Sequence, residues 1–238
     1  MGPVSAWNII IPAIAGGGTA AWGVFHPRSQ LFGRMIRSAG ASCALTFDDG
    51  PNPLVTPRVL ALLEKYEVPA TFFVLGKYAE EHAGLTAEIA ARKHVIGNHT
   101  YAHPSLVFFS RQQIVDELNR CDDAVLRATG KRTTCVRPPF GFRGPQFFAA
   151  ARAAGLLQIV AWSVNGRDWK PQPASAMQRR LQKVGTGDIV LLHDGDHQTS
   201  NARRDHMLAA LEYWIPRWKD AGIQFTSRMP DTQHAKIT

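Results

Sequence analysis

The sequence predicts an α/β fold in which parallel strands alternate with helices inside one domain. Three observations carry this. From about residue 42 onward, short β-rich apolar runs alternate with helical patterns. A chain of 238 residues is long enough for one core of α/β-barrel size and short for two. Apolar residues make up 45% and charged residues 19%, the balance of a globular protein.

The elements follow in order. Ser42 to Phe47 reads as the first strand. Thr56 can cap a helix with Pro57 in its first turn, and Val59, Leu60, Leu63 and Tyr66 give that helix one apolar face. Ala70 to Leu75 is a second strand, Thr86 to Lys93 a helix and His94 to Asn98 a third strand. Ser110 caps a long helix that Gly130 ends. Thr134 to Arg137 is a short strand, Pro145 to Ala154 a helix stopped by Gly155, and Leu157 to Val164 the fifth strand. A helix over Ala174 to Val184 leads to strand Asp188 to Leu192, and a last helix, Ala202 to Ala221, leads through Gly222 to strand Ile223 to Ser227. Seven strands result, with no internal repeat. The expected organisation is an N-terminal segment and connector over 1–40, a catalytic domain over 41–228 and a polar tail over 229–238.

The net charge of +8 would suit an anionic partner. The basic residues are dispersed, however, and no helix gathers them beside aromatic side chains, so nucleic acid is not expected as a partner. Cys43, Cys121 and Cys135 form no CxxC spacing and are read as buried, inert thiols. Residues 3–25 carry no charge and could just span a bilayer, although Gly16, Gly17 and Gly18 interrupt them and no positive n-region precedes them. A membrane anchor or signal-like segment is expected there, with a buried N-terminal element as the alternative. Nothing implies an oligomer.

The polar residues that stand out share a position. Asp48 and Asp49 follow strand one, His99 and His103 follow strand three, Arg137 ends strand four, Asp168 follows strand five and His193 ends strand six. In a barrel of parallel strands, all these C-terminal ends lie on one rim, where such folds build active sites. Two imidazoles spaced HxxxH, His99 and His103, can face one point from a single helical turn, and Asp49 can add a carboxylate. Two histidines and one carboxylate leave a position open for water, as in catalytic zinc sites. Adjacent carboxylates in extended chain point apart, so of Asp48 and Asp49 one can bind metal while the other faces that water as a base, with Arg137 the candidate to keep it ionised. His193 can protonate a leaving amine, with Asp168 fixing its tautomer and raising its pKa. Trp162 and Trp169 flank the Asp168 loop and suit either sugar stacking or core packing.

These motifs closely resemble those of the polysaccharide deacetylases, the NodB-like carbohydrate esterase family 4. The resemblance runs from about Ala44 to Thr226 and rests on five pieces: Thr46-Phe47-Asp48-Asp49-Gly50-Pro51, His99-Thr100-Tyr101-Ala102-His103-Pro104, Arg137-Pro138-Pro139-Phe140-Gly141, Arg167-Asp168-Trp169 and Leu191-Leu192-His193. It implies a distorted, incomplete (β/α) barrel of about seven parallel strands. It further implies a divalent metal, usually zinc, with cobalt or nickel as alternatives, held by Asp49, His99 and His103. Asp48 is implied as general base, Arg137 as its partner, His193 as general acid and Asp168 as its tether. The backbone N–H at Phe140, where many relatives have Tyr, is implied to help hold the oxyanion. Trp169 and Leu191 are implied to close a pocket around the acetyl methyl. Asn165 stands where relatives often carry Asp, which leaves its role open. The implied reaction removes acetyl groups from N-acetylglucosamine-type residues of a polysaccharide, in the cell envelope or outside the cytoplasm. Relatives that cleave O-acetyl esters of xylan or open cyclic amides, and a glycan-binding module without turnover, are the competing expectations.

Overall fold

A computed structural model describes residues 18–26 and 28–230. Its centre is a sheet of seven parallel strands in the order β5-β4-β3-β2-β1-β7-β6, curled into part of a barrel. The strands are β1 (Ala44–Asp48), β2 (Ala70–Val74), β3 (Val95–Asn98), β4 (Cys135–Val136), β5 (Gln158–Ile159), β6 (Val164–Asn165) and β7 (Ile189–His193). β1 lies between β2 and β7, and its register sets Phe47 beside Phe72 and Leu192, and Asp48 beside Phe73 and His193. All five residues of β1, β2 and β7 are buried, as expected of central parallel strands covered on both faces. Phe47 and Phe72 stack with ring centroids 5.0 Å apart within the main core cluster.

A helix described over residues 18–25 (α1) precedes the sheet. The remaining helices are α2 (Thr56–Lys65), α3 (Gly76–Glu81), α4 (Ala83–Ala91), α5 (Arg111–Thr129), α6 (Pro145–Ala153), α7 (Ala174–Leu181) and α8 (Asp205–Asp220). Ser110 and Gln113 form a reciprocal capping box on α5, and Gly130 ends it at φ 73°. At α2 the expectation fails in detail. Val55 is the N-cap, and the Thr56 hydroxyl is used elsewhere, accepting from the Asn52 N–H and donating to Asp194.

The count of seven strands holds while two of them differ. The run Leu157 to Val164 is divided into β5, which pairs with β4, and β6, which pairs with β7 at the other end of the strand order. Between them Val160 N–H still donates to Val136 O while the chain also bridges Ile36, with Ala161 N–H donating to Ile36 O. The run Ile223 to Ser227 forms only a bridge, Cys43 to Phe225. The N-terminal connector is more than a passive tether: Met35, Ile36 and Ala39 are buried in core clusters. At the other end Met229, assigned to the polar tail, is buried with Ile36 and Ala39. Among the described residues no helix is long and apolar enough to cross a membrane. The expected anchor, up to residue 17, lies outside the described residues.

Between α1 and the sheet, the buried guanidinium of Arg143 ties the N-terminal segment to the loop after β4. Its Nη2 donates to His26 O at 2.9 Å and Ser29 O at 2.7 Å, and its Nη1 donates to Gly141 O at 2.8 Å.

Candidate active site

β1 delivers two carboxylates in succession, and a backbone turn separates them. Asp49 has φ 69°, a left-handed conformation that Asp tolerates better than most residues. Asp48 therefore stays in line with the strand, while Asp49 turns toward the histidines. The turn is held by close packing against the loop after β7. A Cβ on Gly50 would lie 2.3 Å from the Asp194 carboxylate, and one on Gly195 would lie 2.0 Å from Asp49 O, so only glycine fits at either place. Asp194 itself is fully buried, and burial raises its carboxyl to about 7.

Arg137 is wholly buried and anchored at four points. Its Nη1 donates to Asp48 Oδ1 at 2.6 Å and to Thr46 Oγ1 at 2.9 Å, while Nη2 and Nε reach Ala161 O and Val160 O at 3.0 and 3.3 Å. Its guanidinium also lies 4.2 Å from the Phe73 ring centroid. Burial pushes the Asp48 carboxyl up, and the charge of Arg137 is the largest opposing influence.

His99 and His103 do not share a helical turn as the HxxxH spacing suggested. Thr100 and His103 have φ of 69° and 63°, and the connecting loop is fixed by Asn98, whose side chain accepts from Thr100 N–H and donates to Leu118 O. The two imidazoles nevertheless face the same point. His99 Nδ1 lies 2.7 Å from Arg137 O, which makes it the protonated nitrogen and leaves the Nε2 lone pair free. His99 Nε2 and His103 Nε2 stand 3.5 and 3.4 Å from Asp49 Oδ1. Burial lowers the two imidazoles to about 3 and about 2, so both are neutral donors at neutral pH. Asp49 Oδ1 is buried and has no hydrogen-bond partner. These separations match the edge of a tetrahedron with bonds of about 2.0–2.1 Å, roughly 3.3–3.4 Å. Among the described residues, Asp49, His99 and His103 form the one cluster suited to a metal ion, and an unpartnered buried carboxylate oxygen facing two neutral imidazoles fits a divalent cation.

At the end of β7, His193 sits beside Asp48 in register. Both its backbone N–H and its Nδ1 meet the fully buried Asp168, at 2.8 Å to Oδ2 and 2.9 Å to Oδ1. Burial pushes this imidazole down, but Asp168, helped by Asp49 and Asp48, outweighs burial and raises it to about 9.

Asp48, Asp49, His99, His103 and His193 line one cleft of about 580 Å³, with Arg137 and Asp168 buried behind it. Phe140, Trp169, Leu191 and Asn165 also line it. Phe140 is half exposed at φ 58° and packs edge-on to His103 at 4.5 Å, whereas Trp169 stands edge-on to His193 at 5.7 Å. Leu191 is nearly buried. The Asn165 side chain closes a local turn by accepting from Arg167 N–H at 2.8 Å. Trp162 lines the cleft as well, with a Cβ on Gly141 excluded by its ring at 2.6 Å. Three contributors were not singled out in the sequence. Thr46 is buried one turn of the pleat behind Asp48 and donates to Val190 O; Asp194 was hidden next to the more conspicuous His193; and His197 follows in a polar loop without a motif.

Comparison with known proteins shows the family. The family model described as polysaccharide deacetylase matches residues 37–159. A chitooligosaccharide deacetylase of Sinorhizobium fredii (strain NBRC 101917 / NGR234) is 38% identical over 189 residues, covering 76% of this chain and 87% of that protein. A solved peptidoglycan N-acetylglucosamine deacetylase superposes with a TM-score of 0.72 at 32% identity, covering 80% of this chain and 88% of the other. A family 4 carbohydrate esterase from Streptomyces lividans in complex with acetate gives 0.71 at 26% identity, over 81% and 100% of the two chains.

Proposed function

Because this chain belongs to the polysaccharide deacetylase family, we propose that it hydrolyses the acetamido group of N-acetylglucosamine-type residues in a polysaccharide or oligosaccharide, releasing acetate and leaving a free amine. The observation that carries this reading is the convergence in one cleft of a base backed by Arg137, an acid backed by Asp168 and a metal-type donor set of Asp49, His99 and His103. Substrates of this class put the enzyme's place of work in the cell envelope or outside the cytoplasm. The groups that carry the chemistry fall within residues 41–228, and the connector before them contributes Met35, Ile36 and Ala39 to the core.

Asp49, His99 and His103 would hold the divalent metal, for which zinc suits two neutral imidazoles and a carboxylate, with cobalt or nickel as substitutes. When bound, the metal supplies Lewis-acid polarisation of the acetyl carbonyl and makes water easier to deprotonate. Asp48 takes the proton of the attacking water at the oxygen not engaged by Arg137, since Oδ1 is committed to the guanidinium. Arg137 serves this step by favouring the ionised carboxylate against the cost of burial. The backbone at Phe140, turned into the cleft by its left-handed conformation, helps hold the developing oxyanion. His193 carries a proton at neutral pH and gives it to the departing nitrogen, while Asp168 fixes the ring so that Nε2 faces the substrate. Trp169 and Leu191 enclose the acetyl methyl. Loss of either acid or base function costs roughly 10² to 10⁴-fold in rate.

The test is acetate release, paired with free-amine formation, from a fully acetylated chito-oligomer, from peptidoglycan and from acetylated xylan. Turnover of the first two, lost in Asp48→Asn, supports the reading. Release from xylan alone makes the enzyme an O-acetyl esterase. Glycan binding without acetate from any substrate makes it a binding module.

A further inference from the structure

His197 lies in the loop after β7, lines the cleft and remains partly exposed there. Its ring is nonetheless held on two sides. One face stacks on His103, with centroids 4.4 Å apart and planes 24° from parallel, and Phe140 meets it edge-on at 5.6 Å. The backbone beneath is equally fixed. His197 O accepts from Lys77 Nζ at 2.7 Å, and Gly195 O and Asp196 Oδ2 accept from the buried Arg204 at 2.7 and 3.0 Å. Asp196 Oδ1 also accepts from Gln198 N–H at 2.9 Å, closing the turn around His197.

So firmly placed an imidazole would be expected to spend its nitrogens on neighbours, yet among the described residues neither one makes a hydrogen bond. Nδ1 is 3.9 Å from Asp49 Oδ2, beyond hydrogen-bond reach, and the ring is outside the donor set that converges on a metal point. A neutral imidazole presents one donor and one acceptor, which matches a hydroxyl group, itself both donor and acceptor. Because the ring is already immobilised, binding through it loses little side-chain entropy. Trp169 and Leu191 border the cleft near His193, whereas His197 and Phe140 border it near His103. An acetyl group is small, and the remainder of the substrate must lie along such a flank.

We infer that His197 binds a sugar hydroxyl of the acetylated residue on the Phe140 flank, and thereby makes the site prefer acetyl groups borne on a pyranose ring over bare acetyl compounds. This rests on the reading that acetylated glycans are the substrates. His197 is a specificity-determining contact that takes no part in water activation or leaving-group protonation.

The experiment compares wild type, His197→Ala and His197→Asn on a fully acetylated chitopentaose and on 4-nitrophenyl acetate, with metal content measured by elemental analysis. The expected result for His197→Ala is a loss in kcat/KM of about tenfold on the oligosaccharide, the worth of one hydrogen bond, appearing chiefly in KM. Its kcat/KM on the ester stays within about twofold of wild type and its metal content is unchanged. His197→Asn, which keeps a donor and an acceptor, recovers part of the loss. Equal losses on both substrates, or loss of metal, overturn the inference and make His197 a support of the metal site. An unchanged KM on chitopentaose overturns it as well. If wild type itself leaves chitopentaose untouched while cleaving the ester, the substrate reading has failed and this inference fails with it, a result visible without any variant.

Discussion

Replacing Asp168 by Asn removes a charge from behind His193 while nearly preserving shape. The imidazole is raised to about 9 because Asp168 outweighs the opposing effect of burial. At pH 8 a group of that pKa is about 90% protonated, whereas one returned to the ordinary value of ~6.5 is about 3% protonated. Burial remains after the substitution and pushes further down, with Asp49 and Asp48 opposing it. The amide-cleaving kcat/KM at pH 8 should therefore fall roughly 30-fold, and the loss should shrink as the pH is lowered toward 6. The basic limb of the pH profile should move from near 9 toward 6.5. One hydrogen bond goes too: an amide NH₂ placed where Oδ2 now accepts from His193 N–H would face another donor, a cost of about 1 kcal/mol. Stability carries the same signature. A folded pKa raised above the unfolded value gives stabilisation that is complete below ~6.5 and lost as the pH climbs through about 9, and Asp168→Asn should remove that slope. Steady-state rates on a chito-oligomer between pH 5 and 10, with thermal unfolding over the same range, measure both. A basic limb still near 9 in a folded Asp168→Asn protein would refute the assignment of His193 as the acid.

Asp48→Asn should impair an acetylated chito-oligomer and an activated acetate ester alike, whereas His193→Ala should impair mainly the amide, each by roughly 10² to 10⁴-fold, since an activated ester's leaving group departs as a stable anion. Equal losses for His193→Ala on both would move His193 from the leaving nitrogen to the oxyanion. Arg137→Met should destabilise the protein by about 3–5 kcal/mol in denaturant titration, because Asp48 is left as a buried charge without its partner. In the fraction that folds, the acid limb of activity should shift to higher pH, the direction in which burial already drives Asp48. Removing metal with a chelator should abolish turnover, and zinc or cobalt should restore it; full activity in protein shown to be metal-free by elemental analysis would contradict the role given to Asp49, His99 and His103.

The rim was legible because parallel strands turn sequence order into spatial order: whatever follows a strand's C-terminal end arrives on one side. Asp48, His99, Arg137 and His193 each end or follow a run of apolar residues that could be recognised locally, and the β1–β2, β2–β3, β3–β4 and β1–β7 pairings bring them together. What could not be read depends on contacts between distant segments. The fifth strand divides because its first half pairs with β4 and its second half with β7, at opposite ends of the strand order, and the strand pattern of Ile223 to Ser227 finds only Cys43 to pair with. The HxxxH spacing suggested a helix because side-chain periodicity does not record the positive φ of Thr100 and His103. α3 was missed because it is short and begins at Gly76, a residue that argues against a helix. Glycine is needed there because a Cβ would lie 2.7 Å from Cys121 Cα on α5. His197 was invisible for a similar reason, as its place beside His103 depends on Gly195 passing tightly over Asp49.

The Arg143 anchor has a bearing on where the enzyme can be cut. The alternation of strand and helix patterns sets the boundary at residue 41 and the family match begins at residue 37, yet two of the carbonyls that satisfy this interior cation belong to His26 and Ser29. A version starting at either boundary would leave the guanidinium in the interior with Gly141 O as its one remaining partner among those three, beneath the very loop that presents Phe140 and Phe142 to the cleft. Phe25, edge-on to Phe142 at 5.0 Å, would be lost as well. The stretch that looks most dispensable by sequence is thus part of the cleft's foundation, and trimming it would loosen the substrate-facing wall before it touched any group that carries the chemistry.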